Sequence, residues 1–553
     1  MNYIKIIFSL LIIFFVNNLH ASIIEKKISE KYNDIFTYPV LSNDDIINYR
    51  KIFNYQNNCK WKIADKYIFK LKNNILMGHV LAQRYLHPRC YKSEFLELSS
   101  WLKMYNDLPQ AKRIYRLAVR RMPKGYKRPS APSKALGIAE SNLQKKIKRN
   151  YKSKIKLTRN QKKEKRQLLN GIKSRVNKGW PSGALKLLNQ RDVKILLDQV
   201  EIDQQKELIA KGYFLADKNE LSIKYSKEAL NKSFIHVPYA NWTAGLCAWR
   251  LENYKEAAKF FSDFSISLQD DEWHQASGSF WAARAYAELN NPQEINYWLK
   301  RAAKNPNSFY GMLASFILGI DRPIKWTKDK VDLELEKKIS SLPSGKRIMG
   351  LIQVGLIQEL EKELIKVNLL MNKEVAVWSL EIAQYFNLAY TQLKIAGKLS
   401  EYGVKLPIKY FYPIPTWQPK AGYNIDPSLM YAFMHQESMF NTSAKSHQGA
   451  LGLMQIMPRT AKFISKNKQV QRNNSSILIN PEINLEVGQE YIEYLMNHEN
   501  VKRNLIYLTA AYNGGPGNLK KWLEKTNYKN DPLLFMESIP SRETRWFIEK
   551  VLT

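Results

Sequence analysis

Two stretches in the middle of the chain decide the fold. Residues 242–261 read WTAGLCAWRLENYKEAAKFF, and residues 281–302 read WAARAYAELNNPQEINYWLKRA. In each, small residues recur at helical spacing, an Asn-containing break follows, and aromatic residues lead the next segment. Small residues let paired helices approach closely, and the aromatic side chains fill the next groove. The pattern predicts stacked helix hairpins of a tetratricopeptide-like superhelix, and a generic helical core is the alternative.

The repeat is degenerate, and alanines suggest its register. Ala216, Ala248 and Ala285 are expected at comparable positions in the first helix of each pair, 32 and 37 residues apart (248 − 216 and 285 − 248). This spacing suits a hairpin unit of a few tens of residues. Whichever architecture holds, these positions are structural.

The same helical pattern extends through almost the whole chain, whereas strand-like alternation is scarce. Residues 407–419 contain four prolines, which a helix cannot accommodate. We therefore expect an all-α protein. Its predicted parts are an α-superhelical domain over 22–330, a helical linker domain over 331–419, and an α-rich catalytic domain over 420–553.

The composition excludes several classes of protein. Of the 553 residues 45% are apolar, so the chain is not a disordered one, and three cysteines cannot form a disulfide scaffold. The 86 Lys and Arg outnumber the 50 Asp and Glu, which gives a net charge of +36. Such a charge favours an anionic partner. A basic arm is predicted over 145–166, which contains twelve basic residues and one acidic residue. We expect a solvated helical arm, and an electrostatic contact to an anionic surface is the alternative.

The first residues resemble an export signal. Lys5 is the only charge before an apolar run from Ile6 to Val16, which is too short to span a bilayer comfortably. Cleavage after Ala21 would remove residues 1–21 and leave no stable membrane anchor, and an uncleaved anchor is the alternative. Export to the periplasm argues against nucleic acid as the anionic partner.

The cysteines allow one disulfide. Cys59 and Cys90 could pair in an oxidising compartment, whereas Cys247 lies in an apolar helical pattern and is expected to be a buried thiol. No metal site and no organic cofactor are indicated.

Chemistry is concentrated in the last domain. Asp426 and Pro427 open a helix that carries Glu437 at the end of an otherwise apolar stretch. Burial against apolar side chains would raise the pKa of this carboxyl and make it a general acid near neutrality. Further on, GLMQIMP over 452–458 and AAYNGGPG over 510–517 form Gly-containing segments with polar residues among apolar ones.

These motifs, in this order and at these spacings, resemble the soluble lytic murein transglycosylases. The resemblance is carried by Glu437-Ser438, by residues 452–458, by Ala511-Tyr512-Asn513 and by Glu543-Thr544-Arg545. Phe309-Tyr310-Gly311 is similar to the motif at the end of that family's superhelix. The resemblance implies an export signal, a helical superhelix, a helical linker and a C-terminal lysozyme-like domain.

The resemblance also implies a mechanism and a substrate. Glu437 would protonate the β-1,4 bond between N-acetylmuramic acid and N-acetylglucosamine in peptidoglycan. It would then accept a proton from the muramic C6 hydroxyl, which closes a 1,6-anhydro ring without water. Glu543 would hold structure by pairing with a nearby Arg. Other cell-wall enzymes are further expected partners.

The resemblance assigns substrate-binding roles to seven residues, for most of which a structural alternative stays open. Ser438 could instead bond the backbone at a helix end, Ser446 could be a loop residue, Met457 a core residue and Asn513 a turn former. Phe547 stands where the family usually has Tyr, so a hydroxyl donor is lost there. The seven positions are Ser438, Ser446, Gln455, Met457, Tyr512, Asn513 and Phe547.

Two other functions compete with this interpretation. A hydrolytic goose-type lysozyme would share the fold and the catalytic Glu, and only its product would differ. A non-catalytic wall-binding scaffold would use the superhelix as a platform for partners. The presence of Glu437 favours an enzyme over the scaffold.

Overall fold

The computed structural model describes residues 32, 36–133, 151–153, 155–268, 271–321, 333–366, 373–471 and 475–553. The predicted export signal over 1–21, and residues 145–150 and 154 of the predicted basic arm, lie outside these ranges. The chain divides into two compact units. Unit 1 comprises residues 1–144 and 324–416, and unit 2 comprises residues 145–323 and 417–553.

Within its described residues, unit 1 has ten helices with assigned bounds, numbered here in chain order along the whole chain. They are α1 (Asn43–Asn57), α2 (Trp61–Ile68), α3 (Met77–Tyr85), α4 (Phe95–Tyr105), α5 (Ala111–Arg121), α16 (Leu333–Ser340), α17 (Pro343–Val354), α18 (Ile357–Lys366), α19 (Lys373–Tyr385) and α20 (Ala389–Glu401), with a 3-10 segment at Ile408–Phe411.

Unit 2 holds the remaining helices of the described residues. They are α6 (Arg159–Asn177), α7 (Pro181–Leu188), α8 (Val193–Leu196), α9 (Gln199–Leu215), α10 (Asn219–Ser233), α11 (Pro238–Arg250), α12 (Tyr254–Ser267), α13 (Glu272–Glu288), α14 (Pro292–Ala303), α15 (Phe309–Ile317), α21 (Pro427–Ser438), α22 (Pro458–Ile464), α23 (Lys468–Gln471), α24 (Pro481–Met496), α25 (Leu505–Gly514), α26 (Pro516–Lys525), α27 (Pro532–Ser538) and α28 (Arg542–Leu552). Short 3-10 segments occur at Phe234–His236 and Ser475–Ile479.

The predicted all-α class is confirmed. Over the ranges the structure describes, extended pairing is limited to two isolated bridges, Lys445 with Leu451 and Leu451 with Ile456. Within those same ranges, no helix is both long enough and apolar enough to cross a bilayer. The domain boundaries at 330 and 419 stay predictions, since the two units group the linker helices with the first helices of the chain.

The hairpins of unit 2 follow the predicted logic of small residues facing aromatic ones. A Cβ on Gly245 in α11 would come within 2.6 Å of the Phe261 ring in α12, and one on Gly278 in α13 would come within 2.9 Å of the Phe264 ring. Trp281 is fully buried beside them. The aromatic rings therefore occupy the space that the glycines leave open.

The register suggested by the three alanines is wrong. Ala248 and Ala285 are buried inside α11 and α13, whereas Ala216 is the residue that ends α9. The repeating feature is the left-handed turn residue between paired helices, namely Asp217, Glu252 and Asn290, spaced 35 and 38 residues apart (252 − 217 and 290 − 252). A turn that reverses the chain constrains its backbone more tightly than one small residue constrains a helix.

Polar contacts join the hairpins of unit 2 to its last helices. Arg250 donates to the Ser538 hydroxyl at 2.7 Å, and Arg284 donates to Asp531 at 2.8 Å. Tyr310, in the motif predicted for the superhelix end, donates its hydroxyl to Glu537 at 2.6 Å. The neighbouring Gly311 is required because a Cβ there would lie 2.0 Å from the Asn305 carbonyl oxygen.

We expect Tyr310→Phe to lower the free energy of unfolding by about 1–3 kcal/mol, because it removes the hydrogen bond between the buried Tyr310 hydroxyl and the partly buried Glu537 carboxyl. Tyr310 is 1% exposed, so water cannot readily replace its hydroxyl. Urea unfolding followed by tryptophan fluorescence measures the change. Tyr297→Phe is the matched control, since Tyr297 is 56% exposed and should change stability by less than about 0.5 kcal/mol. Equal effects of the two substitutions would contradict the role given to Tyr310.

The core of unit 1 forms where the linker helices pack around α1. Trp378 of α19 is fully buried with Tyr49, Ile52 and Ile348. An ion-pair cluster borders this core, in which Arg347 of α17 donates to Asp107 at 2.7 Å and also to Glu363 of α18. Packing of this kind explains why residues 333–411 fold with the first helices of the chain.

Both sequence predictions about cysteines can be compared with the structure. Cys59 and Cys90 form a disulfide with their Cα atoms 5.8 Å apart, which joins the start of α2 to the segment before α4. Cys247 is a buried free thiol in α11, as predicted.

The described part of the predicted basic arm leads into α6. Thr158 caps this helix, since its hydroxyl accepts from the Gln161 N–H and the Gln161 side chain accepts from the Thr158 N–H. Lys165 pairs with Glu201 at 2.5 Å. Part of the arm therefore packs on its own unit.

Candidate active site

Glu437 lies in the last turn of α21, a helix whose ends are both fixed by local chemistry. The Asp426 side chain accepts from the Ser428 N–H at 2.8 Å, and Pro427 begins the helix. Met439 takes a left-handed conformation with φ of 52°, which stops the helix directly after Glu437 and Ser438. The carboxylate thus sits at a sharp change of chain direction.

The surroundings of Glu437 hold a proton on it. Its neighbours Phe433, Met434 and Phe440 are buried, and burial raises the pKa of the Glu437 carboxyl to about 8. The negative charge of Glu543 makes the smaller contribution to this shift. At neutral pH this carboxyl is therefore protonated and can serve as a general acid.

A compact loop over residues 445–457 follows α21 in the chain. Hydrogen bonds to its own backbone hold it in shape. The Ser446 hydroxyl accepts from the Ala450 N–H at 2.9 Å, and the Gln455 side chain donates to the Gly452 carbonyl at 2.8 Å. Gly452 and Gln455 both have positive φ, 75° and 46° respectively. The loop is therefore a rigid structure rather than a flexible connection.

Asn484 of α24 anchors this loop and was not among the predicted site residues. It is fully buried and accepts from the Met454 N–H at 2.7 Å. Its amide donates to the carbonyls of Leu451 at 3.0 Å and Leu478 at 2.8 Å. A single Asn on the buried face of an amphipathic helix is the signal by which the sequence could have shown it.

Aromatic rings from α21, α25 and α28 pack against one another beside the loop over 445–457, and this cluster is called the floor of the site. The Tyr512 ring lies 4.4 Å from Phe433 and stacks in parallel with Phe547 at 6.3 Å. The Tyr512 hydroxyl donates to the Met454 carbonyl at 2.7 Å. Burial raises the pKa of Tyr512, and the nearby charges of Glu437 and Tyr491 add to the effect.

Helix α28 contributes the electrostatic neighbour of Glu437. Thr544 donates to the Asn513 side chain at 2.8 Å and so joins α28 to the end of α25. Arg545 donates to the Ile539 carbonyl, whereas Glu543 is exposed and forms no ion pair with any residue that the structure describes. Among the described residues the expected pairing of Glu543 with an Arg is not formed, and Arg545 donates to the backbone instead.

Residues 416–535 match the family model described as "Transglycosylase SLT domain". The last part of the chain is thus similar to this domain family. The chain is also 30% identical over 291 residues to the soluble lytic murein transglycosylase of Escherichia coli K12, an alignment that spans 51% of this chain and 43% of that protein. It is 27% identical over 296 residues to a putative soluble lytic murein transglycosylase of Haemophilus influenzae, spanning 51% of this chain and 49% of that protein. The matches thus span about half the length of these relatives.

The fold has a counterpart among solved structures. An inactive mutant of the lytic transglycosylase Slt from Pseudomonas aeruginosa superposes with a TM-score of 0.54. The match covers 91% of this chain and 84% of that chain, at 17% sequence identity. The likeness supports the predicted helical architecture.

The structure shows the surroundings of several predicted residues in the last part of the chain. Ser438 donates to the Met434 carbonyl at 3.1 Å, which is the backbone hydrogen bond at a helix end that was the structural alternative for this residue. Tyr512 and Phe547 are 9% and 4% exposed and lie in the floor. Met457 is 38% exposed and is therefore not a core residue. Substrate contacts of the predicted residues stay predictions.

One cluster outside residues 416–535 has the elements of a metal site. One nitrogen of His87 and the sulfurs of Cys59 and Cys90 lie within 4.8 Å of one another. All three residues belong to the part of the chain that the structure describes. The His87 Nδ1 accepts from the Cys90 N–H at 3.1 Å, and its Nε2 faces the Cys59 sulfur at 3.9 Å. The disulfide engages both sulfurs, so this arrangement offers no thiolate to a metal. The three-residue step from His87 to Cys90 is visible in the sequence, although it was not singled out there.

We expect Glu543→Gln to move the alkaline limb of the activity profile to lower pH. Removal of the neighbouring charge lowers the pKa of Glu437, so the proton is lost earlier as pH rises, while burial still keeps the pKa above its ordinary value. Initial rates on cell-wall sacculi between pH 5 and 9 measure the shift. In the parent protein, about 1 M salt should screen the Glu543 charge and so reduce its effect on the pKa of Glu437. Glu524→Gln, on the exposed side of α26, is the control. A loss of more than about a hundredfold at every pH would instead show that Glu543 takes part in the chemistry.

Proposed function

We propose that this chain is a lytic transglycosylase that cleaves the β-1,4 bond between N-acetylmuramic acid and N-acetylglucosamine in peptidoglycan. The observation that carries the proposal is the protonated Glu437 carboxyl at the end of an apolar helix in an SLT domain. The names of the soluble lytic murein transglycosylases to which it is similar support the choice of substrate.

In the first step Glu437 donates its proton to the glycosidic oxygen. The bond from that oxygen to muramic C1 breaks, and the N-acetylglucosamine part leaves with the proton as its new hydroxyl. The substrate's own 2-acetamido group stabilises the cationic C1, as in the substrate-assisted glycosidases. No second enzyme carboxylate is required for this step.

In the second step the Glu437 carboxylate accepts the proton of the muramic C6 hydroxyl. The C6 oxygen bonds to C1 and closes the 1,6-anhydro ring, so no water is consumed and Glu437 regains its proton. The same burial serves both steps, because a carboxylate in apolar surroundings is a stronger base than one in water. A group with a pKa of about 8 can thus give and retake one proton near neutral pH.

The remaining predicted residues fit around this reaction. Ser446, Gln455, Met457 and Asn513 would contact the sugar chain, while Tyr512 and Phe547 support the loop and α21 from below. We place the enzyme outside the cytoplasm, in the periplasm, after removal of residues 1–21. Peptidoglycan is the partner, and other wall enzymes are further candidates.

Hydrolysis is the second candidate, and Glu543 is the carboxylate on which it would depend. A hydrolase needs a second carboxylate to activate water or to attack C1. Glu543 is close enough to Glu437 for its charge to raise the pKa of that group. Its position at the solvent-exposed start of α28 makes it an electrostatic neighbour rather than a buried nucleophile.

Digestion of purified sacculi decides between the candidates. Released muropeptides that are lighter by one water than the products of a lysozyme, and that lack a reducing end, would support the transglycosylase. Products with full mass and reducing ends would establish a hydrolase on the same fold. Binding to sacculi without any release would favour a non-catalytic scaffold.

A further inference from the structure

Unit 1 carries a cationic surface that the proposed reaction does not use. From Leu108 to Ser133 the chain has eight basic residues and no acidic one; they are Lys112, Arg113, Arg116, Arg120, Arg121, Lys124, Lys127 and Arg128. All but Arg121 are exposed, and these exposed residues form no ion pair with any residue that the structure describes. Unneutralised positive charge of this density attracts anionic polymers.

The surface is organised rather than loose. The buried face of α5 holds Ala111, Ile114 and Ala118 in the core, so its basic residues are turned outward together. Arg121 donates to the Ser93 hydroxyl at 2.7 Å, and the Ser133 N–H donates to the Asn106 carbonyl at 2.9 Å. The segment after α5 is therefore fastened at both of its ends to residues that flank α4.

A cleft lies between α4 and this fastened segment. Its volume is about 300 Å³, and Phe95, Ser99, Lys103, Tyr126, Lys127 and Arg128 are among the residues that line it. The Tyr126 ring stands edge-on to Phe95 at 5.3 Å and is half exposed. The cleft thus combines an aromatic surface, hydroxyl groups and three cations.

We infer that this cleft is an auxiliary binding site for an anionic glycan strand, in which the aromatic ring packs on a sugar and the cations bind carboxylates of the attached acidic peptides. Arg and Lys bind carboxylates through charge-assisted hydrogen bonds. A concave site with a few polar groups around aromatic rings fits a discrete saccharide better than it fits a flat membrane surface. The inference rests on the proposed function, since the glycan strand is the wall polymer that Glu437 would cleave.

An auxiliary site of this kind would keep the enzyme on an insoluble substrate between cleavage events. Two weak contacts on one chain raise the effective concentration of each for its ligand. The effect should appear on sacculi, which offer many sites, and should vanish on a short soluble glycan. This difference separates the auxiliary site from the catalytic one.

The test measures sedimentation of the full chain with purified sacculi, in the Glu437→Gln background so that nothing is digested. Lys103→Gln/Lys127→Gln/Arg128→Gln should weaken binding about tenfold at low salt, and Tyr126→Ser should weaken it with no change of charge. The control is Lys60→Gln/Lys62→Gln/Lys405→Gln, which removes three exposed cations elsewhere in unit 1 and should change binding less than twofold. Equal losses in the two triple variants would overturn the site and leave only a general effect of net charge.

Two further arms identify the ligand. Sacculi whose carboxylates have been converted to neutral amides, with a carbodiimide and methylamine, should bind the parent chain and the site variant alike, because the anionic groups are gone while the cross-linked network still sediments. If the site variant instead loses binding to phosphatidylglycerol vesicles and keeps its binding to sacculi, the surface is a membrane site and the inference is wrong. When Glu437 is retained, the site variant should cleave a short soluble glycan at the parent rate. Failure of the parent chain to cleave this glycan would count against the proposed function alone.

Discussion

Glu437→Gln should reduce release of muropeptides from sacculi by at least about a thousandfold. The amide has the shape of the protonated carboxyl but can neither give nor accept a proton, so both steps of the proposed reaction lose their catalyst. Initial rates of product release, followed by chromatography and mass, measure the loss. Glu524→Gln, which neutralises an exposed carboxylate of the same domain, should retain the parent rate.

Compared with the parent protein, the Glu437→Gln variant should become progressively more stable as pH rises. The pKa of Glu437 is about 8 in the folded chain and near 4.5 when unfolded, so the folded state holds the extra proton between these values. The stability that the proton on Glu437 contributes is therefore fully present below about pH 4.5 and is lost as pH rises towards 8. Gln does not ionise, so at pH 8 the variant should gain on the order of 2 kcal/mol over the parent after allowance for partial solvent exposure, and little at pH 5. An inactive variant that is also less stable at pH 8 would contradict this account of the site.

Gly452→Ala should disrupt the loop over 445–457 and lower the free energy of unfolding by about 3 kcal/mol or more. A Cβ at this position would lie 2.4 Å from both the Asn484 amide and the Leu478 carbonyl oxygen, and the backbone φ of 75° already disfavours a side chain. The Asn484 amide cannot move away without giving up its bonds to the loop. Urea unfolding measures the stability, and sacculus digestion should show a parallel loss of activity.

Gly449→Ala is the matched control for this prediction. Its φ of 90° is equally unfavourable for a side chain, but no atom lies within 4 Å of the added Cβ. The control should cost only the backbone term of about 1 kcal/mol. If both substitutions cost the same, the contact with Asn484 would not be what fixes the loop.

The fold was largely predictable because helical periodicity is a local signal. Small residues facing aromatic ones at Gly245 and Phe261 are visible in the sequence and meet as expected. The register was not predictable from the alanines, since the left-handed turns at Asp217, Glu252 and Asn290 define the repeat. The grouping of residues 333–411 with the first helices depends on contacts across some three hundred residues, which no local pattern encodes.

The candidate site was predictable in part for the same reason. The position of Glu437 at the end of an apolar helix could be read locally, and its raised pKa follows from that position. The role of Asn484 could not, because it depends on hydrogen bonds to a loop some thirty residues earlier. The direction of Arg545 towards the Ile539 carbonyl, and not towards Glu543, likewise depends on how α28 is packed.

The central claim is that Glu437 closes the anhydro ring without water, and digestion in water enriched in heavy oxygen tests it most directly. Each cleavage by a hydrolase places one solvent oxygen on muramic C1, whereas the transglycosylase places none. The account predicts released muropeptides with unlabelled muramic ends and a mass one water below that of the lysozyme products. Incorporation of one heavy oxygen per cleaved bond, lost in Glu437→Gln, would contradict it and make the protein a hydrolase.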